Sequence, residues 1–180
     1  MAGSVRDATR LMRFESQVLV HLDAAWRFAR WLVGDQASAE DAVQNACLNA
    51  LRGFEAHTGP SARAWFMAVV RNACIDLLRE RARRGVEESF DEEMHGAERG
   101  VETPEAAVMR AEESRWIRAE VARLPEEYRE VLVLRELEDL SYREIGEIVQ
   151  VPIGTVMSRL SRARDLLAER VRARTRRESA

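Results

Sequence analysis

Residues 141–167 read SYREIGEIVQVPIGTVMSRLSRARDLL, and that order describes two helices joined by a tight turn. Ser141 stands three residues ahead of Glu144, the spacing of a capping box that starts a helix. The short helix that follows has Ile145, Ile148 and Val149 as its inner face. Gly146 leaves room for a second helix to cross closely. Gln150, Val151 and Pro152 form the turn, and a new helix begins near Ile153. Its apolar stripe is Val156, Leu160, Ala163 and Leu167; its other face carries Thr155, Ser158, Arg159 and Arg162. A plain helical hairpin with a solvated basic face would share part of this pattern. Cap, small residue, turn and stripe together match the helix-turn-helix that docks on duplex DNA. Guanidinium groups meet phosphates, and the first turns of the second helix reach base edges in the major groove.

Ahead of this motif, Val131-Leu132-Val133-Leu134 places four apolar residues in a row, which requires burial on most sides of a helix. That helix runs to about Leu137. Pro125 suits its first position, and Glu126 and Glu127 suit the positive end of its dipole. Helical spacing is also present from Glu105 to Arg123.

The N-terminal part is helical as well. Apolar residues from Val18 to Leu32 recur at helical spacing, so Met12–Val33 reads as one helix ended by Gly34. Ser38 is the expected cap of a second helix that runs to about Phe54. Residues 55–61 contain Gly59-Pro60 and read as a loop. A third helix spans Ala62 to about Arg84. Strand signals are scarce. The fold class expected is all-α: two small helical domains, 10–84 and 106–173, joined by a flexible acidic linker at 85–105, with the helix-turn-helix in the second.

The 180 residues carry a net charge of −3, but the charge is segregated. Residues 63–84 hold six Arg against two acids, 87–105 hold eight acids against one Arg, and 156–177 hold eight Arg against two acids. Two basic blocks around an acidic one suggest two surfaces for polyanions. All 28 basic residues are Arg, whose planar forks suit phosphate and guanine. Residues 172–179, with four Arg and one Glu, read as a disordered tail. Cys47 and Cys74 form no CxxC and read as buried small hydrophobes. The three His make no metal spacing with them, so no metal or cofactor is expected. No nucleophile–base pair or phosphate-cradling Gly loop is present, so an enzyme is not expected. Signal peptide and membrane span are absent from the pattern, which points to a cytoplasmic protein without membrane insertion.

In the first domain, Arg63-Ala64-Trp65-Phe66 and Arg71-Asn72 interleave rings with cations and an amide, a chemistry that serves unpaired bases. Most of Trp65, Phe66, Val69, Val70, Cys74 and Leu77 read as core. That leaves Arg71, Asn72, Arg79 and Arg83 as exposed candidates.

These segments resemble a known family. Residues 124–131, 140–145 and 154–164 are similar to the C-terminal domain of extracytoplasmic-function sigma factors, members of the sigma-70 family of bacterial RNA polymerase subunits. Ala39-Glu40-Asp41-Ala42-Val43-Gln44 resembles the family segment that faces the clamp helices of the largest polymerase subunit. Residues 65–72 with 75–79 resemble the segment that melts and reads the minus-ten element. Met157, Gln150, Asn45 and Leu51 depart from the residues common there. The resemblance implies a subunit that directs core RNA polymerase to promoter DNA. Asp41 and Gln44 would hold the clamp helices, and the C-terminal domain would meet the flap. Thr155, Ser158, Arg159 and Arg162 would read and anchor the minus-thirty-five duplex. Arg71, Asn72 and Arg79, with the loop at 55–61, would stabilise the melted strand. It also implies control by an anti-sigma factor. A sigma mimic that titrates an anti-sigma factor and a plain helix-turn-helix regulator are the alternatives.

Overall fold

The computed structural model describes residues 2–57, 59–85 and 104–178. In chain order the helices are α1 (Ala2–Gln17), α2 (Leu22–Val33), α3 (Gln36–Gly53), α4 (Ala62–Arg84), α5 (Pro104–Ala122), α6 (Glu126–Glu136), α7 (Tyr142–Val149) and α8 (Ile153–Glu178), and no strand occurs among the described residues. The acidic stretch expected to link two domains lies outside the described residues, except for Gly85 and the start of α5.

Helix ends follow the local chemistry. Gly34 closes α2 and Gly85 closes α4, both in the left-handed conformation that glycine adopts without a Cβ penalty. The Ser61 hydroxyl accepts from the Ala64 amide at 3.1 Å and starts α4. Both halves of the capping box form at α7: Ser141 and Glu144 each satisfy the other's backbone N–H.

Four local expectations need correction. Met12–Val33 is two helices, because Leu19–His21 form a 3₁₀ turn between α1 and α2. A 3₁₀ turn advances three residues per turn rather than 3.6, so apolar spacing runs through it almost unchanged. The cap of α3 is Asp35, whose carboxylate accepts from the Ser38 amide at 2.9 Å. Ser38 is buried instead, and its hydroxyl accepts from Arg81. Pro125 occupies the cap position of α6 rather than its first helical residue. The tail at 172–179 is helical through Glu178, as the last turns of α8. Those turns lie on α5: Arg170 donates to the Glu120 carbonyl at 2.8 Å, and the Arg174 guanidinium sits 4.6 Å from the Trp116 ring centre.

The N-terminal half packs α2, α3 and α4 around Phe28, Phe66, Met67 and Val70. The C-terminal half packs α6, α7 and α8 around Leu134, Leu140, Ile145, Ile148 and Leu160. The halves also touch: α4 lies on α7, and α2 lies on α6. This explains why Val131, Leu132, Val133 and Leu134 are all buried, since α6 has α2 on one side and α7 and α8 on others.

Candidate nucleic-acid interface

Gly146 sets the angle between α7 and α8. A Cβ at this position would lie 2.9 Å from the Val151 carbonyl oxygen and 3.7 Å from a Val156 methyl. The Val151 amide in turn donates to the Gly146 carbonyl at 3.1 Å, so the turn closes directly over the glycine. Gln150 takes the left-handed position of that turn, with φ 58°. Val156, Leu160 and Ala163 are buried against α6 and α7. The first turns of α8 therefore present a fixed outer edge on which Ser158 and Arg162 are exposed and Thr155 is half-buried. Ser158 donates to the Thr155 carbonyl at 3.0 Å.

Arg159 differs from its neighbours. Its side chain is 22% exposed and reaches inward, 3.4 Å from the carboxylate of Glu130 on α6. Glu130 is itself 2% exposed and holds a second guanidinium, that of Arg71 on α4, through bonds of 2.6 and 3.2 Å. Burial pushes the Glu130 carboxyl above the usual carboxylate range, and the hydrogen bond and charge of Arg71, with the charge of Arg159, pull it back only in part. Of the residues expected to contact the melted strand, Asn72 and Arg79 are exposed, whereas Arg71 is only 15% exposed. Arg79 sits 3.9 Å from Asp76, an exposed pair that adds little. The structure thus brings Arg71 and Arg159, expected on two separate surfaces, onto one carboxylate.

A second buried acid repeats the pattern. The Glu138 side chain, 1% exposed, accepts two bonds of 3.0 Å from Arg27 on α2 and lies 3.4 Å from Arg63 on α4. Arg63 also donates to the Glu138 carbonyl at 2.7 Å. Ser61 donates to Glu144 at 3.4 Å. Every one of these contacts runs from the N-terminal half to the C-terminal half. Removing one member of such a buried pair typically costs about 3–5 kcal/mol, because the other charge is left unpaired.

Sequence reasoning did not single out Glu130, Glu138 or Arg27. A signal existed for the first: an acid directly preceding Val131–Leu134, on a helix buried on most sides, needs a cationic partner. It also missed Leu48. Asp41, Gln44, Asn45 and Leu48 recur at helical spacing on the exposed face of α3, and Leu48 is 50% exposed. This exposed face of α3 therefore mixes a carboxylate, two amides and an apolar residue. Of the stretch 55–61 expected as a loop, Glu55 and Ala56 belong to a 3₁₀ turn, Phe54–Ala56, and His57 after it stacks on Trp65 with ring centres 4.6 Å apart, while Trp65 leans on Phe54. Of the residues expected as core, Phe66, Val70 and Cys74 are fully buried and Trp65, Val69 and Leu77 half-buried; Met67 is fully buried as well. No cluster of His, Cys, Asp or Glu able to hold a metal occurs among the described residues. No described helix is long and apolar enough to cross a membrane.

Comparison with known proteins bears on the two basic surfaces separately. The model of sigma-70 region 2 matches residues 18–84, and that of sigma-70 region 4 matches residues 114–167. The chain is 34% identical over 138 residues to the ECF RNA polymerase sigma-E factor of Haemophilus influenzae, covering 73% of each. It is 30% identical over 170 residues to the ECF RNA polymerase sigma factor SigW of Bacillus subtilis, covering 88% of this chain and 89% of that one. Among solved structures, the sigma factor RpoE in complex with the anti-sigma factor NepR from Bartonella quintana is similar over 89% of this chain and 97% of that one, at a TM-score of 0.74 and 25% identity. The chain belongs to the extracytoplasmic-function sigma factors of RNA polymerase.

Proposed function

We propose that this chain recruits core RNA polymerase to a two-part promoter, using α8 for the upstream duplex and α4 for the melted downstream strand. The observation that carries the reading is the outer edge of α8. Thr155, Ser158 and Arg162 stand on the first turns of a helix whose opposite stripe is locked into a helix-turn-helix by Gly146. Ser158 and Thr155 offer hydroxyls to base edges, and Arg162 offers a fork to phosphate or guanine. Asn72 and Arg79 on α4, with Arg71 once it is released from Glu130, supply an amide and cations to unpaired bases. The α3 face with Asp41, Gln44 and Leu48 takes the clamp helices of the largest polymerase subunit, and the C-terminal half meets the flap. Domain boundaries at 10–84 and 106–173 separate the two DNA contacts. Strand opening needs no bond chemistry: it proceeds when binding of the open strand outweighs the lost stacking. The chain works in the cytoplasm as a non-catalytic subunit. The relative RpoE is held by an anti-sigma factor, and the same kind of control is proposed here.

Run-off transcription on sheared genomic DNA of the source organism, with core polymerase and with or without the chain, tests the reading. Discrete transcripts that need the chain support it. Polymerase binding without transcripts favours a mimic that titrates an anti-sigma factor. Duplex binding with neither transcripts nor polymerase binding favours an ordinary helix-turn-helix regulator.

A further inference from the structure

Two apolar side chains on the first turns of α8 have no place in its buried stripe. Ile153 is 46% exposed and Met157 is 53% exposed, whereas Val156, Leu160 and Ala163 are buried. Ile153 and Met157 stand four residues apart, so they share one face of the helix. At about 100° per residue, that face lies between the buried stripe and the exposed Ser158, while Thr155 and Arg159 flank the stripe on its other side. Gly154 is exposed, and a Cβ there would meet nothing within 4 Å, which leaves open space beside the pair.

Neither side chain suits a phosphate. Isoleucine has no polar atom, and the methionine thioether is at most a weak acceptor. Among the groups that base pairs present in the major groove, the C5-methyl of thymine is the apolar one. The pair is continuous with the edge formed by Thr155, Ser158 and Arg162, which the proposed function seats in that groove. We propose that Ile153 and Met157 are specificity-determining residues that select a thymine in the upstream element by contact with its methyl group. This rests on the reading of α8 as the upstream-duplex helix and deepens it. The methyl marks which strand holds the thymine, so the contact also fixes the orientation of an A·T pair. A protein partner could cover the same two side chains, but continuity with the polar reading edge favours the duplex.

Deoxyuridine differs from thymidine only by that methyl, which makes it the probe. Holoenzyme assembled from core polymerase and the full chain first selects duplexes from a random pool, and the selected duplexes give the upstream element. One such duplex is then made with thymidine or with deoxyuridine at the thymines of that element, and the two affinities are compared. Loss of one buried methyl predicts about fourfold weaker binding of the deoxyuridine duplex by the wild type. Met157→Ala should bind both duplexes alike, and Met157→Leu, which keeps an apolar contact, should keep most of the discrimination. Deoxyuridine also changes duplex stiffness, so the deciding quantity is the difference in discrimination between wild type and Met157→Ala. Val171→Ala is the control, an exposed apolar residue near the far end of α8; it should discriminate like the wild type, and a loss there equal to that of Met157→Ala overturns the proposal. Equal binding of both duplexes by the wild type overturns it too, while the sigma reading stands. So does a Met157→Ala variant that is weaker on both duplexes yet discriminates like the wild type, which assigns Met157 to a protein contact. A selected element without thymine has the same consequence. If the holoenzyme selects no upstream element, the reading of α8 itself falls and takes the proposal with it.

Discussion

Gly146→Ala tests whether the α7–α8 turn is as tight as the structure describes. The added methyl would sit 2.9 Å from the Val151 carbonyl oxygen, inside the contact distance of carbon and oxygen. That oxygen is backbone, in a turn pinned by the Val151 amide on the Gly146 carbonyl and by Gln150 in a left-handed conformation. The methyl cannot be accommodated by turning a side chain, so α8 must move away from α7. Overpacking of this kind costs about 1–3 kcal/mol. Replacing glycine inside a helix returns about 0.5–1 kcal/mol. The net expectation is a loss of roughly 0.5–2 kcal/mol, taking the low end less the low end and the high end less the high. If the chain unfolds as one unit, that lowers Tm by about 1–8 °C at roughly 2–4 °C per kcal/mol. Thermal unfolding followed by circular dichroism measures it, with Gly154→Ala as the comparison. A Cβ at Gly154 meets nothing within 4 Å, so that variant should keep or slightly raise Tm. An unchanged Tm in Gly146→Ala, or equal losses in both variants, would refute the packing argument.

Other expectations follow from single groups. Gln150→Gly should stabilise the chain by about 0.5–1 kcal/mol in urea titration, since a side chain in the left-handed region costs about 1–2 kcal/mol and part of that is returned as unfolded-state entropy. Burial pushes the Cys74 thiol up to about 12, so a thiol reagent on the native protein should label Cys47 first and leave Cys74 protected until unfolding; equal labelling rates would contradict the packing of α4. Hydrogen bonding by the Ser141 hydroxyl, ahead of the backbone and Arg63, holds the Glu144 carboxyl below the usual carboxylate range. Its contribution is therefore complete above its unfolded value and is lost as pH falls through the lowered one. The stability gap between wild type and Glu144→Gln should be full near neutral pH and close on the acid side. Arg162→Ala should weaken duplex binding by the polymerase complex and reduce the salt slope by about one, measured by filter binding at several salt concentrations.

The helix-turn-helix was legible because its determinants are local. Ser141 and Glu144 are three residues apart, and the stripe from Val156 to Ala163 reads along one helix. Gly146 was legible for a similar reason, as its neighbours Val151 and Val156 are close in sequence. The break at Leu19–His21 was not, because a 3₁₀ turn leaves the apolar spacing almost intact. Asp35 and Ser38 are both good caps, and sequence alone cannot rank them; burial of Ser38 beside Arg81, 43 residues away, decides it. Least legible were the partners of Arg71 and Arg159. Their pairing with Glu130 spans 59 and 29 residues, and no periodicity reports a contact between two folded halves. The same arginines look free when each helix is considered alone.

Helix α8 ties two tasks to one rigid body. Its 26 residues make a rod about 39 Å long at 1.5 Å per residue. The upstream end carries Thr155, Ser158 and Arg162; the downstream end is strapped to α5 through Arg170 on Glu120 and Arg174 over Trp116. A rod pivoting near its buried middle turns a small tilt at one end into an opposite displacement at the other. A tilt of the first turns of α8 would therefore be felt at α5 through Arg170 and Arg174.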